Sequence, residues 1–309
     1  MSFAREEGSQ PGRLVVCGGL SVPKGAAAGV LELDKNPNAL PNKRIELKLN
    51  HLSEQLVDNI PPVLCDAVEV AAYVFMADRL ISRGTDQMGK MNAKWRRRLR
   101  FRIPVRALAV WNSAEVRKRL SDTLNFLSDD EFSFDFELGD PVTRLDPFLG
   151  FEDSRAHRVQ PDDVILFSGG LDSLSGAVDQ LIRLNRSAVL VTHKSATNLA
   201  ARQDALAERL AAKARGGMFY APVWVRKGDY EPIEHTQRTR SFLYITLGVA
   251  VARMFDRDSV LFFENGITTF NLPIAEHIIG TMASRTTHPK VLASFFRFVF
   301  TAVAANCDR

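Results

Sequence analysis

Apolar and polar residues follow one pattern up to about residue 140 and another beyond it. In residues 1–140 the apolar runs are short and one-sided. Gly and Pro clusters (Gln10-Pro11-Gly12, Gly18-Gly19, Pro37, Pro41) separate strand-like segments, Leu14-Val15-Val16 and Ile45-Glu46-Leu47-Lys48-Leu49. The second alternates with the period of two expected of a half-buried strand. Beyond Asp66, the residues Ala67, Val70, Ala71, Val74, Phe75, Leu80 and Ile81 recur at helical spacing until Gly84, which predicts a helix. Residues 96–105 alternate strictly, with Arg98, Arg100 and Arg102 on one strand face and Leu99, Phe101 and Ile103 on the other. A second helix is predicted after Asn112 or Ser113, with Val116, Leu120, Leu124 and Leu127 on one face. Phe132, Phe134 and Phe136 then alternate with Ser133 and Asp135 as a further strand. Together these elements predict an N-terminal α+β domain over 1–140, without a catalytic constellation.

From Gly139 to Asp163 periodicity is weak and Pro, Asp, Arg and Gly are frequent, which predicts a linker over 141–160. Residues 161–309 contain continuous apolar runs: Val164-Ile165-Leu166-Phe167, Ala188-Val189-Leu190-Val191-Thr192, Met218-Phe219-Tyr220 with Val223-Trp224-Val225, and Ser259-Val260-Leu261-Phe262-Phe263. Amphipathic segments separate them. Strands of this kind are buried on both faces, so the second domain is predicted to be α/β, a doubly wound parallel sheet. Ligands of such sheets bind outside the carboxyl ends of the strands.

Composition adds exclusions. With 46% hydrophobic and 25% charged residues among 309, the chain is a folded globular protein large enough for two domains, not a disordered or collagen-like one. Forty Lys and Arg against 36 Asp and Glu leave +4, which does not demand a nucleic-acid or membrane-surface partner. The basic residues 96–102 beside Trp95 permit a nucleic-acid reading, but the repeated aromatic and basic interleaving of such a platform is missing, and a solvated face is the plainer reading. No apolar run approaches the about 20 residues of a membrane-spanning helix. The amino-terminal segment lacks the pattern of a secretory signal, so a cytoplasmic protein is expected. Cys17, Cys65 and Cys307 are far apart with no CxxC pair, so neither a disulfide framework nor a zinc site is expected.

Candidate chemistry stands after the first buried run. Ser168-Gly169-Gly170-Leu171-Asp172-Ser173 precedes a helix with Leu174, Ala177, Val178, Leu181 and Ile182 on its apolar face. Strand, glycine loop and helix in this order make an anion site. Glycines let an anion approach the backbone, the first N–H groups of the helix are unpaired, and the helix dipole favours negative charge. Ser168 and Ser173 add hydroxyls. No Gly-Lys-Ser/Thr follows, so this is not a Walker A loop.

In this context SGGLDS resembles the SGGxDS motif of the PP-loop ATP pyrophosphatases, with their adenine nucleotide alpha hydrolase-like fold. The resemblance implies MgATP cleaved between its α and β phosphates, a carboxylate activated as an adenylate, and attack by a nitrogen or sulfur nucleophile. Ser168, Gly169, Gly170, Leu171 and Ser173 would hold the pyrophosphate portion, and Asp172 would orient the loop or the Mg²⁺. Within that superfamily the segment from Arg240 to Ala250 (RSFLYITLGVA) is similar to the Arg-Asn-x-Leu-Phe-Leu-Thr-Leu-Ala segment of the 7-cyano-7-deazaguanine synthases of queuosine biosynthesis. This assigns Arg240 to the developing phosphate charge. Glu264-Asn265-Gly266 would face adenine or substrate. Apart from the resemblance, His193-Lys194-Ser195 ends the second buried run where the family has Asp-Tyr-Gly-Gln, which makes Lys194 a candidate for ATP, and in Arg285-Thr286-Thr287-His288-Pro289-Lys290 Arg285 is a candidate adenylate contact and His288 a substrate-binding or acid/base group.

The departures are also specific. Residues 267–273 lack the synthases' Tyr-Pro-Asp-Cys sequence, and Cys307 stands where those enzymes carry four cysteines, so zinc is not supported and the carboxyl end reads as shortened. His277 has no second histidine at HExxH spacing. The combination of domains resembles the queuosine-synthase-like proteins of bacterial anti-phage operons, the C subunits of Qat defence systems among them. That implies an ATP-dependent ligase acting on a small-molecule carboxylate or deazaguanine, with protein partners from the same operon. The alternative is a catalytically diverged ATP-binding subunit of a defence complex.

Overall fold

The computed structural model describes residues 12–26, 29–49, 60–83, 96–139, 160–195, 197–227, 233–266, 269 and 285–302. The expected linker falls almost wholly outside them, as do Trp95, His277 and Cys307.

Two four-stranded sheets form. The first holds β1 (Arg13–Cys17), β2 (Leu31–Leu33), β4 (Arg98–Val105) and β5 (Glu131–Leu138) in the order β2-β1-β4-β5. The second holds β3 (Glu46–Leu49), β6 (Asp163–Leu166), β7 (Ala188–Lys194) and β8 (Met218–Arg226) in the order β3-β8-β7-β6. Every pairing of the first sheet is parallel, which corrects the expected α+β architecture of the N-terminal half to α/β. Helices α2 (Leu108–Trp111) and α3 (Ala114–Ser128) lie between β4 and β5 and return the chain in the same direction. The alternation in β4 and β5 arises because their inner residues, Leu99, Phe101, Ile103, Phe132, Phe134 and Phe136, are buried while Arg98 and Arg100 face solvent. Those arginines meet carboxylates of β5: Arg98 with Glu131 at 2.7 Å, Arg100 with Asp135 at 2.8 Å, Arg102 with Glu137 at 2.5 Å. The basic strand is therefore neutralised by its neighbour.

In the second sheet β6, β7 and β8 run parallel, and β3, contributed by the first half of the sequence, closes the far edge antiparallel to β8. The expected fourth strand over 259–263 is reduced to a parallel bridge at Leu261. Its N–H donates to Val164 O at 2.7 Å and its carbonyl accepts from Leu166 N at 3.0 Å. The chain leaves the ladder there, and Phe262 and Glu264 become cavity wall. Because β7 lies on one side of β6 and Leu261 on the other, the carboxyl end of β6 is a topological switch point, the place where open α/β sheets bind ligands.

Helices cover both faces of this sheet. Ile165, Phe167 and Leu190 pack with α4 (Leu171–Val178), which continues as a π-helical turn (Asp179–Arg183), and with Leu206 and Leu210 of α5 (Thr197–Ala211). Val164, Leu166, Val189 and Val191 instead share a core with α6 (Arg240–Met254). That core continues through α1 (Pro62–Leu80) into the first sheet and includes Phe295 and Phe298 of α7 (Pro289–Ala302). In α1 every residue from 63 to 78 is buried, the apolar ones in this core and Asp66, Glu69 and Asp78 paired with arginines. Cys17 and Cys65 are buried and free. No helix among the described residues is long and apolar enough to cross a membrane.

Candidate functional site

At the end of β6 the backbone turns through Gly169, whose φ of +76° is a left-handed conformation open to glycine at little strain. Gly170 then caps α4. Ser168 Oγ lies 3.0 Å from Ser173 Oγ and accepts from Gly170 N at 3.3 Å, while Ser173 Oγ donates to Gly170 O at 3.1 Å. These bonds fold the loop over the helix's own first turn. Gly176, one turn further on, lets α4 lie against Phe263: a Cβ there would fall 2.1 Å from the ring.

Beside the loop opens a cavity of about 430 Å³, lined by Ser168, His235, Thr236, Gln237, Arg240, Ser241, Tyr244, Phe262, Glu264 and Thr286. Three of the residues expected from sequence, Ser168, Arg240 and Glu264, thus share one cavity. Asp172 stands in the first turn of α4, close enough to act electrostatically on Glu264. Burial pushes the Glu264 carboxyl above its usual range, and the Asp172 charge adds to the effect. Arg240 opens α6 and lines the cavity, with Ser241 beside it and Tyr244 one turn further on. Ser241 Oγ and Gln237 Oε1 are buried without hydrogen-bond partners among the described residues. Gln237 itself sits at φ +46°, an uncommon conformation for a non-glycine residue.

A buried ionic network fixes where α6 begins. Asp78 near the end of α1 accepts from Thr239 N and Thr239 Oγ1, both at 3.0 Å, immediately before Arg240. Arg83 and Arg97 bridge the same carboxylate to Asp130, with Arg83 Nη2 2.6 Å and Arg97 Nη2 2.6 Å from Asp130 Oδ2. Glu234 accepts from Arg83 N at 2.9 Å and from Thr236 N at 3.0 Å, which holds the segment carrying His235 and Thr236. Burial pushes the Asp78 carboxyl up, but the Arg97 charge and hydrogen bond, Thr239 N–H and Arg83 outweigh it, and its pKa ends below the usual value.

Other residues expected from sequence lie elsewhere. Lys194 Nζ pairs with Asp204 at 2.6 Å and sits over the Tyr220 and Trp224 rings, away from the cavity lining. His193, on the opposite face of the strand, is buried edge-on to Phe75 with a centroid distance of 5.0 Å. Burial, and then the Arg240 charge, lower its pKa to about 3, so it is neutral. Arg285 Nη1 donates to Phe126 O at 2.8 Å and its guanidinium lies 4.8 Å from the Phe126 ring. His288 meets the same ring, centroids 5.5 Å apart. The Arg285–Lys290 loop therefore anchors on α3 and offers Thr286 to the cavity instead. Asn265 accepts from Thr269 N at 2.9 Å in the turn that starts at Gly266, and neither Asn265 nor Gly266 lines the cavity.

Sequence reasoning missed His235, Thr236 and Gln237. They lie between the apolar runs and carry no periodicity, and their place is set by Asp78 and Arg83, which are distant in sequence. Ser241 and Tyr244 stood inside the RSFLYITLGVA segment, where spacing from Arg240 could have placed Tyr244 one helical turn on.

Fold and site together define an α/β protein with a polar cavity at the carboxyl end of β6, lined by Ser168 just before α4 and by the first turns of α6. Comparison of the chain with protein-family models, with curated proteins and with solved structures finds no match.

Proposed function

We propose that this protein binds MgATP in the cavity and adenylates a carboxylate, releasing pyrophosphate, in the manner of PP-loop ligases. The observation that carries the reading is the loop of residues 168–173 at the carboxyl end of β6, beside a cavity that also holds Arg240 and Glu264. The N–H groups at the start of α4 and the hydroxyl of Ser168 suit the β and γ phosphates, while Ser173, buried and bonded to Gly170 O, braces the loop. Arg240, at the start of α6, suits charge that develops on the α phosphate as the carboxylate oxygen bonds to phosphorus and the pyrophosphate oxygen leaves with the bond's electron pair. Ammonia or an amine then attacks the acyl carbon, AMP departs, and an amide forms with loss of a proton; a nitrile needs a second ATP to activate the amide oxygen.

Asp172 and Glu264, close enough for one charge to raise the other's proton affinity, fit a hard divalent cation that shares the phosphate oxygens. No cluster of three or more His, Cys, Asp or Glu able to hold a metal exists among the described residues, so phosphates would complete the coordination. Mg²⁺ held by Asp172 and Glu264 would neutralise phosphate charge. By resemblance, a 7-deazaguanine carboxylate is the first substrate to try, with proteins of an anti-phage operon as partners.

The test is release of AMP and pyrophosphate from MgATP by the purified protein, with and without 7-carboxy-7-deazaguanine and ammonia, beside Arg240→Ala and Asp172→Ala. Loss of one charge-stabilising group lowers the rate by about 10²–10³. AMP formation unchanged by both substitutions refutes the reading. ATP bound without AMP under every condition assigns the protein to the binding-subunit class.

A further inference from the structure

Beneath the glycine loop lies Gln203, fully buried in α5. Its Nε2 donates to Ser168 O at 3.0 Å and to His193 O at 3.5 Å. Both groups it faces are carbonyl oxygens, so the amide nitrogen must stand on this side, and Oε1 is left buried without a partner among the described residues. Its Cγ lies 3.0 Å from where a Cβ on Gly169 would stand, so the side chain packs flush against the left-handed residue of the loop. The amide supplies the donor that the buried Ser168 carbonyl takes, at the cost of its own orphaned Oε1, so it is spent on the loop's backbone and not on filling space.

The bond to Ser168 O has a geometric consequence. In a trans peptide the carbonyl and the following N–H point in opposite directions. Holding Ser168 O toward α5 turns the Gly169 N–H away from α5. We infer that Gln203 is a positioning residue for the loop, whose side-chain amide fixes the Ser168–Gly169 peptide so that the Gly169 N–H is presented to the phosphates of a bound nucleotide; this rests on the nucleotide reading above. The second donor, on His193 O, ties the loop to the end of β7, so two strand ends are set by one carboxamide.

The experiment compares wild type, Gln203→Met and Gln203→Glu by calorimetric titration with inorganic pyrophosphate and with MgATP, beside thermal unfolding and the ¹⁵N–¹H resonance of Gly169. Gln203→Met keeps the packing on Gly169 and removes both donors. The expected result is a loss of about tenfold or more in pyrophosphate affinity, the effect of one lost hydrogen bond to a charged ligand. Its stability should fall by no more than the loss of one buried donor, the titrations are run well below its melting temperature, and the Gly169 resonance should no longer move on titration. Gln203→Glu faces two carbonyls and donates only when protonated, so its affinity relative to wild type should fall as pH rises. A purely structural role predicts the lower stability with affinity kept and the Gly169 resonance still moving on titration. Wild type that binds pyrophosphate, with either variant binding equally well at every pH, overturns the inference alone. Wild type that binds neither ligand overturns the nucleotide reading and the inference with it.

Discussion

Replacing Asp78 by alanine tests how the first half of the chain builds the cavity in the second. The carboxylate is fully buried and serves Arg83, Arg97, Thr239 N and Thr239 Oγ1 at once. Without it, Arg83 and Arg97 lose one of the two carboxylates they bridge, and the Thr239 amide loses its acceptor at the start of α6. Removing one partner from a buried ion pair destabilises by about 3–5 kcal/mol, because the remaining charge stays buried and uncompensated. Against a total of about 5–15 kcal/mol, that is a large share. Urea unfolding at pH 7, fitted by linear extrapolation, measures the loss. The pH dependence supplies a second reading. The Asp78 pKa is depressed on folding, so its contribution is complete above the unfolded value of about 3.9 and is lost as pH falls through the lower folded value. The gap between wild type and Asp78→Ala should therefore stay constant from pH 7 to 5 and narrow only in acid below about pH 4. A loss under about 1 kcal/mol at pH 7, or a gap that closes near neutrality, refutes the claim that this network holds α6 in place.

Three further outcomes are expected. Gly176→Ala gains about 1 kcal/mol of helix propensity, but its Cβ would meet the Phe263 ring at 2.1 Å. Overpacking of this kind typically costs about 1–3 kcal/mol, so urea unfolding should report a net loss, and a stabilised variant would contradict the packing. Arg100→Ala, whose side chain is 65% exposed, should change stability by under about 0.5 kcal/mol. It should also leave affinity for double-stranded DNA at physiological salt unaltered, whereas a marked fall would restore the nucleic-acid reading of β4. His193, lowered to about 3 by burial, is neutral when folded, while the unfolded chain takes up its proton near pH 6.5. Wild type should therefore lose stability as pH falls below about 6.5, with a slope that His193→Leu lacks; equal slopes would place the imidazole in water.

Much of the second half was legible in the sequence because buried parallel strands write continuous apolar runs, and β6, β7 and β8 overlap three of the four expected runs, each reaching a residue or two beyond. The glycine loop was legible for the same local reason: Gly169 and Gly170 stand between a strand and a helix. The N-terminal half misled on strand direction. Alternation in β4 and β5 reports one exposed face, and nothing in a period of two separates a one-sided parallel sheet from an antiparallel one. Leu261 was read as part of a full strand because apolar content registers burial, not ladder pairing. Lys194, Arg285 and His288 illustrate the limit for sites. Each is polar and near a strand end or loop, but Asp204 and Phe126, which claim them, come from elements whose approach only the tertiary fold decides. Asp78 is the converse case: a carboxylate inside an apolar helix, silent in sequence, that sets the position of Arg240.

The central claim, adenylate formation in the cavity beside the residue 168–173 loop, is tested most directly by exchange of labelled inorganic pyrophosphate into ATP. That exchange requires the α–β bond of ATP to break and re-form reversibly on the protein and does not depend on the nitrogen nucleophile. The account predicts label in ATP only when a carboxylate substrate is present, starting with 7-carboxy-7-deazaguanine, and loss of that exchange in Arg240→Ala. Label that enters ATP without any carboxylate, or exchange that survives in Arg240→Ala at the wild-type rate, would contradict it.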